Sequence, residues 1–267
     1  MIVRLFLFLV CLVGCLAGEA QAQLFLETGK LVLAVSGGDH LNGTMVIHNT
    51  SAVPSDVRVY WEDFQYKPPY DGTKNFLPAG TAPDSASQWI NFAPQTFTLP
   101  AYGQQTIQYT ITVPATMDHG HYGVLFFEKS SEAMTNGEGV TLVARVGCLF
   151  FIEPKDKNKK STLDHVALEG KNVTLDFVNQ GNVILIPRTT YYVMSNSGDV
   201  LLRGETVKVY VPPGDSGSIR VPLKSNLNPG RYTLVVNSDL DDGDVVVKEI
   251  GLNVDNSGQL TIGSAQD

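Results

Sequence analysis

The sequence predicts an all-β protein: two tandem immunoglobulin-like β-sandwich domains after an N-terminal signal peptide. Three observations carry this. Apolar and polar residues alternate over short runs bounded by Gly, Pro, Asn and Asp, which is the period of half-buried strands, and there is no amphipathic helical repeat. The two halves of the chain carry the same ordered set of strand and turn signals. A run with no apolar side chain, Lys155 to Lys160, separates those halves.

In chain order, the first element is the export signal. Arg4 precedes an uncharged stretch from Leu5 to Leu16, and Ala20-Gln21-Ala22 follows. A basic start, an apolar stretch and two small residues around a spacer define a secretory signal peptide at 1–22, with Gln23 as the first mature residue. Glu19 stops the run short of the about 20 apolar residues that a spanning helix needs. Leu12-Val13-Gly14-Cys15 also fits a bacterial lipobox. Lipid anchorage at Cys15 is therefore the alternative to free export to the periplasm or cell surface. Cleavage after Ala22 removes Cys11 and Cys15 and leaves Cys148 alone, so an intrachain disulfide is not expected. Stability must come from apolar cores, and 267 residues with 43% apolar content can supply them.

Domain one is placed at 23–154. Its strands are Thr44 to Asn49, Val57 to Trp61, Gln88 to Phe92, Thr106 to Val113, Tyr122 to Phe127 and Val140 to Ile152. Val57, Val59 and Trp61 share one face; so do Ile107, Tyr109, Ile111 and Val113. The lysine-rich segment 155–161 reads as a solvated linker. Domain two is placed at 162–254, with strands from Leu163, Val173, Thr189, Val200, Val207, Ser218, Tyr232 and Val245. The tail 255–267 is polar and expected to be frayed.

The repeat runs as follows. Asn49-Thr50-Ser51 matches Asn179-Gln180-Gly181, a strand end entering a turn. Gly103 precedes Val113-Pro114 and Gly120-His121-Tyr122; Gly214 precedes Val221-Pro222 and Gly230-Arg231-Tyr232. Domain one is longer by about 20 residues, which fall at Tyr66 to Ser85 and read as a long loop. Gly-x-Tyr ahead of the penultimate strand is the mark of a tyrosine corner, so Tyr122 and Tyr232 are expected to cap loop backbones.

A formal charge of −8 repels phosphate backbones and excludes nucleic acid as an expected partner. Asp118-His119-Gly120-His121 offers two metal-type ligands without a third at sensible spacing, and reads as a turn. Asp239-Leu240-Asp241-Asp242-Gly243-Asp244 hints at a calcium loop but lacks the distal Glu, and reads as an acidic hairpin turn. Cys148 lies in an apolar strand and is expected to be an inert buried thiol. Asn42, Asn49 and Asn172 open glycosylation sequons that matter only in a eukaryotic secretory route. The sequence has no nucleophile elbow, phosphate loop or dinucleotide fingerprint. Neither enzymatic activity nor a cofactor or metal is expected.

These features together resemble the periplasmic pilus-assembly chaperones (PapD-like). The resemblance rests on Asn49-Thr50-Ser51, Trp61-Glu62-Asp63, the Trp89 to Leu99 segment, Gly103 to Pro114, Gly120 to Phe127 and the long strand Val140 to Ile152. It covers most of domain one and is only architectural in domain two. It implies that the last strand of domain one completes an incomplete client subunit by strand addition, and so a protein client such as a pilin-like or other surface subunit. The donor face would be Val140, Leu142, Ala144, Val146, Cys148 and Phe150. The same alternation also fits a strand that packs its own core, and both readings stay open. The resemblance further implies two basic residues that hold a client carboxylate. Lys30 fits the first position. The second falls near Cys148, and Arg145 would serve only in a shifted register, because an odd offset turns it to the other face. A structural or adhesive cell-surface spacer, touching a wall or glycan through the Tyr66–Ser85 loop, is the alternative function.

Overall fold

The computed structural model describes residues 24–129, 144–223 and 227–263. The signal segment with Cys15, and the expected donor residues Val140 and Leu142, lie outside the described residues. Domain one contains β1 (Leu24–Leu26), β2 (Lys30–Val35), β3 (His40–Asn49), β4 (Ser55–Tyr66), β5 (Lys74–Pro78), β6 (Ile90–Ala93), β7 (Thr96–Leu99), β8 (Gln104–Thr112), β9 (His121–Lys129) and β10 (Arg145–Pro154). One sheet runs β1-β3-β8-β6. The facing sheet runs β2-β10-β9-β4-β5, with β7 also on β4. Alternation builds the core between them. Met45 and Ile47, Val57, Val59 and Trp61, Ile107, Tyr109 and Ile111 all point inward and are buried.

Domain two contains β11 (Ser161–Glu169), β12 (Asn172–Asn179), β13 (Arg188–Ser195), β14 (Val200–Glu205), β15 (Ser216–Pro222), β16 (Gly230–Asp239), β17 (Val245–Val254) and β18 (Leu260–Gly263). Sheets β11-β12-β15 and β14-β13-β16-β17-β18 enclose Leu175, Phe177, Val193, Ile219, Leu234 and Ile250. Two sequence expectations change here. The run Val207 to Val211 is not a strand: Val207 is exposed, and only Val211 bridges, to Leu185. Of the segment 255–267, expected to fray, the described residues 255–263 turn at Asp255 and pair Leu260–Gly263 with β17.

The run Tyr122 to Phe127 in β9 is nearly all apolar because both its faces are covered. Leu125 and Phe127 enter the core of domain one. Tyr122, Val124 and Phe126 join Phe64, Tyr66, Tyr70 and Phe151 in a second cluster, which Ile184, Ile186 and Tyr210 of domain two close. The expected long loop is part of this seam. Lys74–Pro78 within it pairs with β4, Tyr70 is buried, and the Tyr70 carbonyl accepts the Tyr210 N–H at 2.8 Å. The linker is mostly exposed and also carries ion pairs. Lys155 pairs with Asp39, Lys157 with Glu153, and Lys159 with the hairpin between β16 and β17.

Tyr232 behaves as a tyrosine corner, donating its hydroxyl to the Asn228 carbonyl at 2.7 Å. Tyr122 does not. Its buried phenolic oxygen accepts the Ile184 N–H of domain two at 2.8 Å. The same seam carries Gly120 N–H to the Asn182 carbonyl and Asn182 Nδ2 to the Asp118 carbonyl.

Candidate functional site

β10 is paired on one side with β9 from Arg145↔Glu128 to Ile152↔His121. On the other side β2 runs parallel to it and begins only at Lys30↔Leu149. Arg145 to Cys148 therefore have no strand on that side among the described residues. Strand alternation fixes which groups face the opening. Leu149 donates its N–H to the Gly29 carbonyl at 3.0 Å, so the peptide groups of Gly147 and Arg145 point the same way, outward. Ala144 points its carbonyl to Lys129 on β9 instead. An open edge of this kind is a template for a further strand.

The side chains of β10 divide by face. Cys148 and Phe150 are fully buried in the core of domain one, Val146 is half-buried against it, and Ala144 is exposed. Burial pushes the Cys148 thiol up to about 12, as befits an inert thiol. Arg145, Gly147, Leu149 and Phe151 point to the other face. A Cβ on Gly147 would lie 2.7 Å from Val124 Cγ2 and 2.9 Å from Phe126, so only glycine lets those side chains pack there.

Lys30 is paired with Leu149, so Arg145, four residues earlier on β10, lies on the same face as Lys30. The two cations are nevertheless not brought together, being about 13 Å apart along the strand. Arg145 is committed elsewhere. Its guanidinium lies 3.9 Å over the Phe126 ring and bonds Tyr60 Oη at 3.1 Å and Glu62 at 3.0 Å.

Lys30 stands at the mouth of a cleft of about 160 Å³ between the domains, lined also by Phe151, Glu153, Lys157 and Ile184. Its ammonium lies 4.0 Å over the Phe151 ring. No carboxylate lies within ion-pair distance of it among the described residues; the nearby Glu153 carboxylate holds Lys157 at 2.8 Å instead. Partial burial holds its pKa below the usual lysine range, against the opposing field of Glu153. An exposed cation in that condition has capacity for an anion.

Two segments read from the sequence as turns make local contacts. The acidic Asp239–Asp244 hairpin is filled from within: Lys159 Nζ bonds the carbonyls of Leu240 (2.8 Å) and Asp241 (3.1 Å) and the Asp242 carboxylate (2.9 Å). His119 bonds Asp118 at 2.6 Å, while His121 packs on Trp89 and lies 3.2 Å from the Ser85 carbonyl. The sequence reading missed Tyr70, Tyr210 and Lys159, because each acts across a domain boundary that local patterns do not encode.

No family model matches the sequence, and no curated protein matches it. Solved structures do match. One is the class 5 fimbriae chaperone CfaA, with 12% identity, covering 85% of this chain and 98% of that one, TM-score 0.53. Another comes from a chaperone–tip adhesin complex of CFA/I fimbriae biogenesis, with 14% identity, the same coverages and TM-score 0.52. At those identities the likeness concerns the fold, and over nearly the full length of both relatives this chain has the two-domain immunoglobulin-like architecture of the fimbrial chaperones.

Proposed function

We propose that the protein is an exported, non-enzymatic module that holds an extended segment of a protein client by strand addition along β10. The observation that carries this reading is the unpaired edge at Arg145–Cys148, ending at an exposed lysine that stacks on Phe151 and has no carboxylate within ion-pair distance among the described residues. Val140, Leu142, Ala144 and Val146 would lend side chains to the client. Cys148 and Phe150 close the protein's own core and mark where donation stops. Lys30 would take the client's terminal carboxylate. Because β2 is parallel to β10, a client strand ending at Lys30 runs parallel to β10 too. The solved relative in complex with a tip adhesin supports a protein client of the surface-subunit kind. Export through the 1–22 signal predicts a mature chain starting at Gln23; a lipid-modified Cys15 in the purified mature protein would replace free export with anchorage.

The test uses a ten-residue peptide of alternating valine and threonine, as free acid and as amide. The acid is expected to bind at least about tenfold tighter, and Lys30→Ala to abolish that difference. Arg145→Pro removes an outward N–H and is expected to weaken both peptides, while Arg145→Ala keeps the N–H and leaves them bound. Equal binding of acid and amide would remove the anchor role. Unchanged binding to Arg145→Pro would remove the edge.

A further inference from the structure

At the end of domain one away from the seam, the turn before β8 holds Tyr102 at φ +55°, a left-handed conformation that bulky residues rarely adopt. The equivalent turn of domain two shows what the geometry requires. In domain one Gly103 N–H bonds the Pro100 carbonyl and Asn49 N–H bonds the Gly103 carbonyl. In domain two Asp215 N–H bonds the Pro212 carbonyl and Asn179 N–H bonds the Asp215 carbonyl. Tyr102 therefore matches Gly214, which sits at φ +82°. Glycine adopts this conformation without steric cost. Domain one accepts the cost and does not recover it by burial, since Tyr102 is 73% exposed. Tyr70, also left-handed at φ +62°, is the opposite case: its side chain is 8% exposed against domain two. A strained aromatic held in solvent points to a role beyond the fold.

Its surroundings specify the chemistry. Tyr102 and Phe25, the latter 55% exposed on β1, flank a cleft of about 540 Å³. In the cleft His48 Nε2 meets Glu27 Oε1 at 2.7 Å, and the Glu27 side chain is 52% exposed. An apolar peptide laid over the two rings would strip water from that pair without replacing its hydrogen bonds, which is costly. A phosphate or other anion would face the Glu27 carboxylate on a protein of charge −8. A neutral sugar suits both parts. Its C–H face packs on aromatic rings, and its hydroxyls donate to the carboxylate and bond the imidazole. We propose that the Phe25–Glu27–His48–Tyr102 cleft binds a neutral pyranose unit of a polysaccharide. This site is separate from the β10 edge and does not rest on strand addition.

The experiment titrates the full mature chain with neutral hexasaccharides of glucose, mannose, galactose and N-acetylglucosamine, read by calorimetry, with the valine–threonine peptide as a control for the β10 edge. At least one saccharide is expected to bind, at least about tenfold weaker to Tyr102→Gly and to Glu27→Gln. Peptide binding should stay unchanged in both variants. Tyr102→Gly should keep or raise Tm, since glycine removes the strain. No saccharide binding, binding insensitive to both variants, or a fall in Tm of more than about 4 °C for Tyr102→Gly would overturn the proposal. So would peptide binding that is lost with Tyr102→Gly, which would assign the cleft to a protein partner.

Discussion

Asn49 and Asn179 occupy matched positions in the two domains and make matched bonds. Each is buried, each accepts the N–H of the residue two ahead, and each donates to the carbonyl of the residue four ahead and to a carbonyl from the segment leading into the neighbouring strand of its sheet, β8 or β15. Tyr122 and Tyr232 are matched just as closely in sequence, yet one phenol reaches a neighbouring domain and the other its own loop. The asparagine's partners are backbone groups of its own turn and of the turn leading into the neighbouring strand, all within one domain, so those turns dictate them. The tyrosine side chain is long enough for whatever packs above the strand to choose its partner.

The largest expected effect tests the matched half of that comparison. Asn49→Ala and Asn179→Ala each strand several buried backbone groups and should each cost about 2–4 kcal/mol. Trp61 and Trp89 are the only tryptophans and both lie in domain one. Tryptophan fluorescence in urea should therefore report Asn49→Ala directly, and circular dichroism both variants. A neutral result for either would break the equivalence of the turns. The unmatched half should give a smaller and unequal effect. Tyr122→Phe leaves the buried Ile184 N–H unpaired and should cost about 1–2 kcal/mol, whereas water replaces the exposed Tyr232 bond and Tyr232→Phe should cost less than about 0.5 kcal/mol. Hydrogen exchange at the Ile184 amide should accelerate in the first variant only; equal effects would return Tyr122 to a local role.

The smallest effect concerns pH. His121 of domain one is matched by Arg231 in domain two. Burial, reinforced by neighbouring His119, holds the His121 pKa below its usual 6.5. The unfolded chain then binds the proton more readily. Stability from the neutral ring is fully present above about pH 6.5 and is lost as pH falls through the lower folded value. Urea midpoints of domain one, followed by fluorescence from pH 8 to 5, should drop on acidification, and His121→Gln should flatten the drop. An undiminished drop in that variant would move the origin elsewhere.

Much of the fold was legible because sandwich strands have one buried face. The alternation of Val57, Val59 and Trp61, or of Ile107, Tyr109 and Ile111, states which side is inside. Features that depend on distant chain segments were not legible. The pairing of Lys30 with Leu149 joins the two ends of domain one, and nothing local distinguishes it from pairing with Cys148. That one-residue difference decides whether Lys30 shares the face of Arg145. Aligning Gly103 with Gly214 was natural and wrong by one position: the hydrogen bonds match Gly214 to Tyr102, a residue no pattern would place at positive φ. The candidate edge was legible as a long apolar strand, but its unpaired length depends on where β2 begins.

The aromatic seam bears on how the chain is made. Synthesis delivers Phe64, Tyr122, Phe126 and Phe151 before Ile184, Ile186 and Tyr210 exist to cover them. A truncated product stopping at residue 154 would be a sticky hemisphere. The second domain thus acts as a stopper for the first, covering rings that the first leaves open.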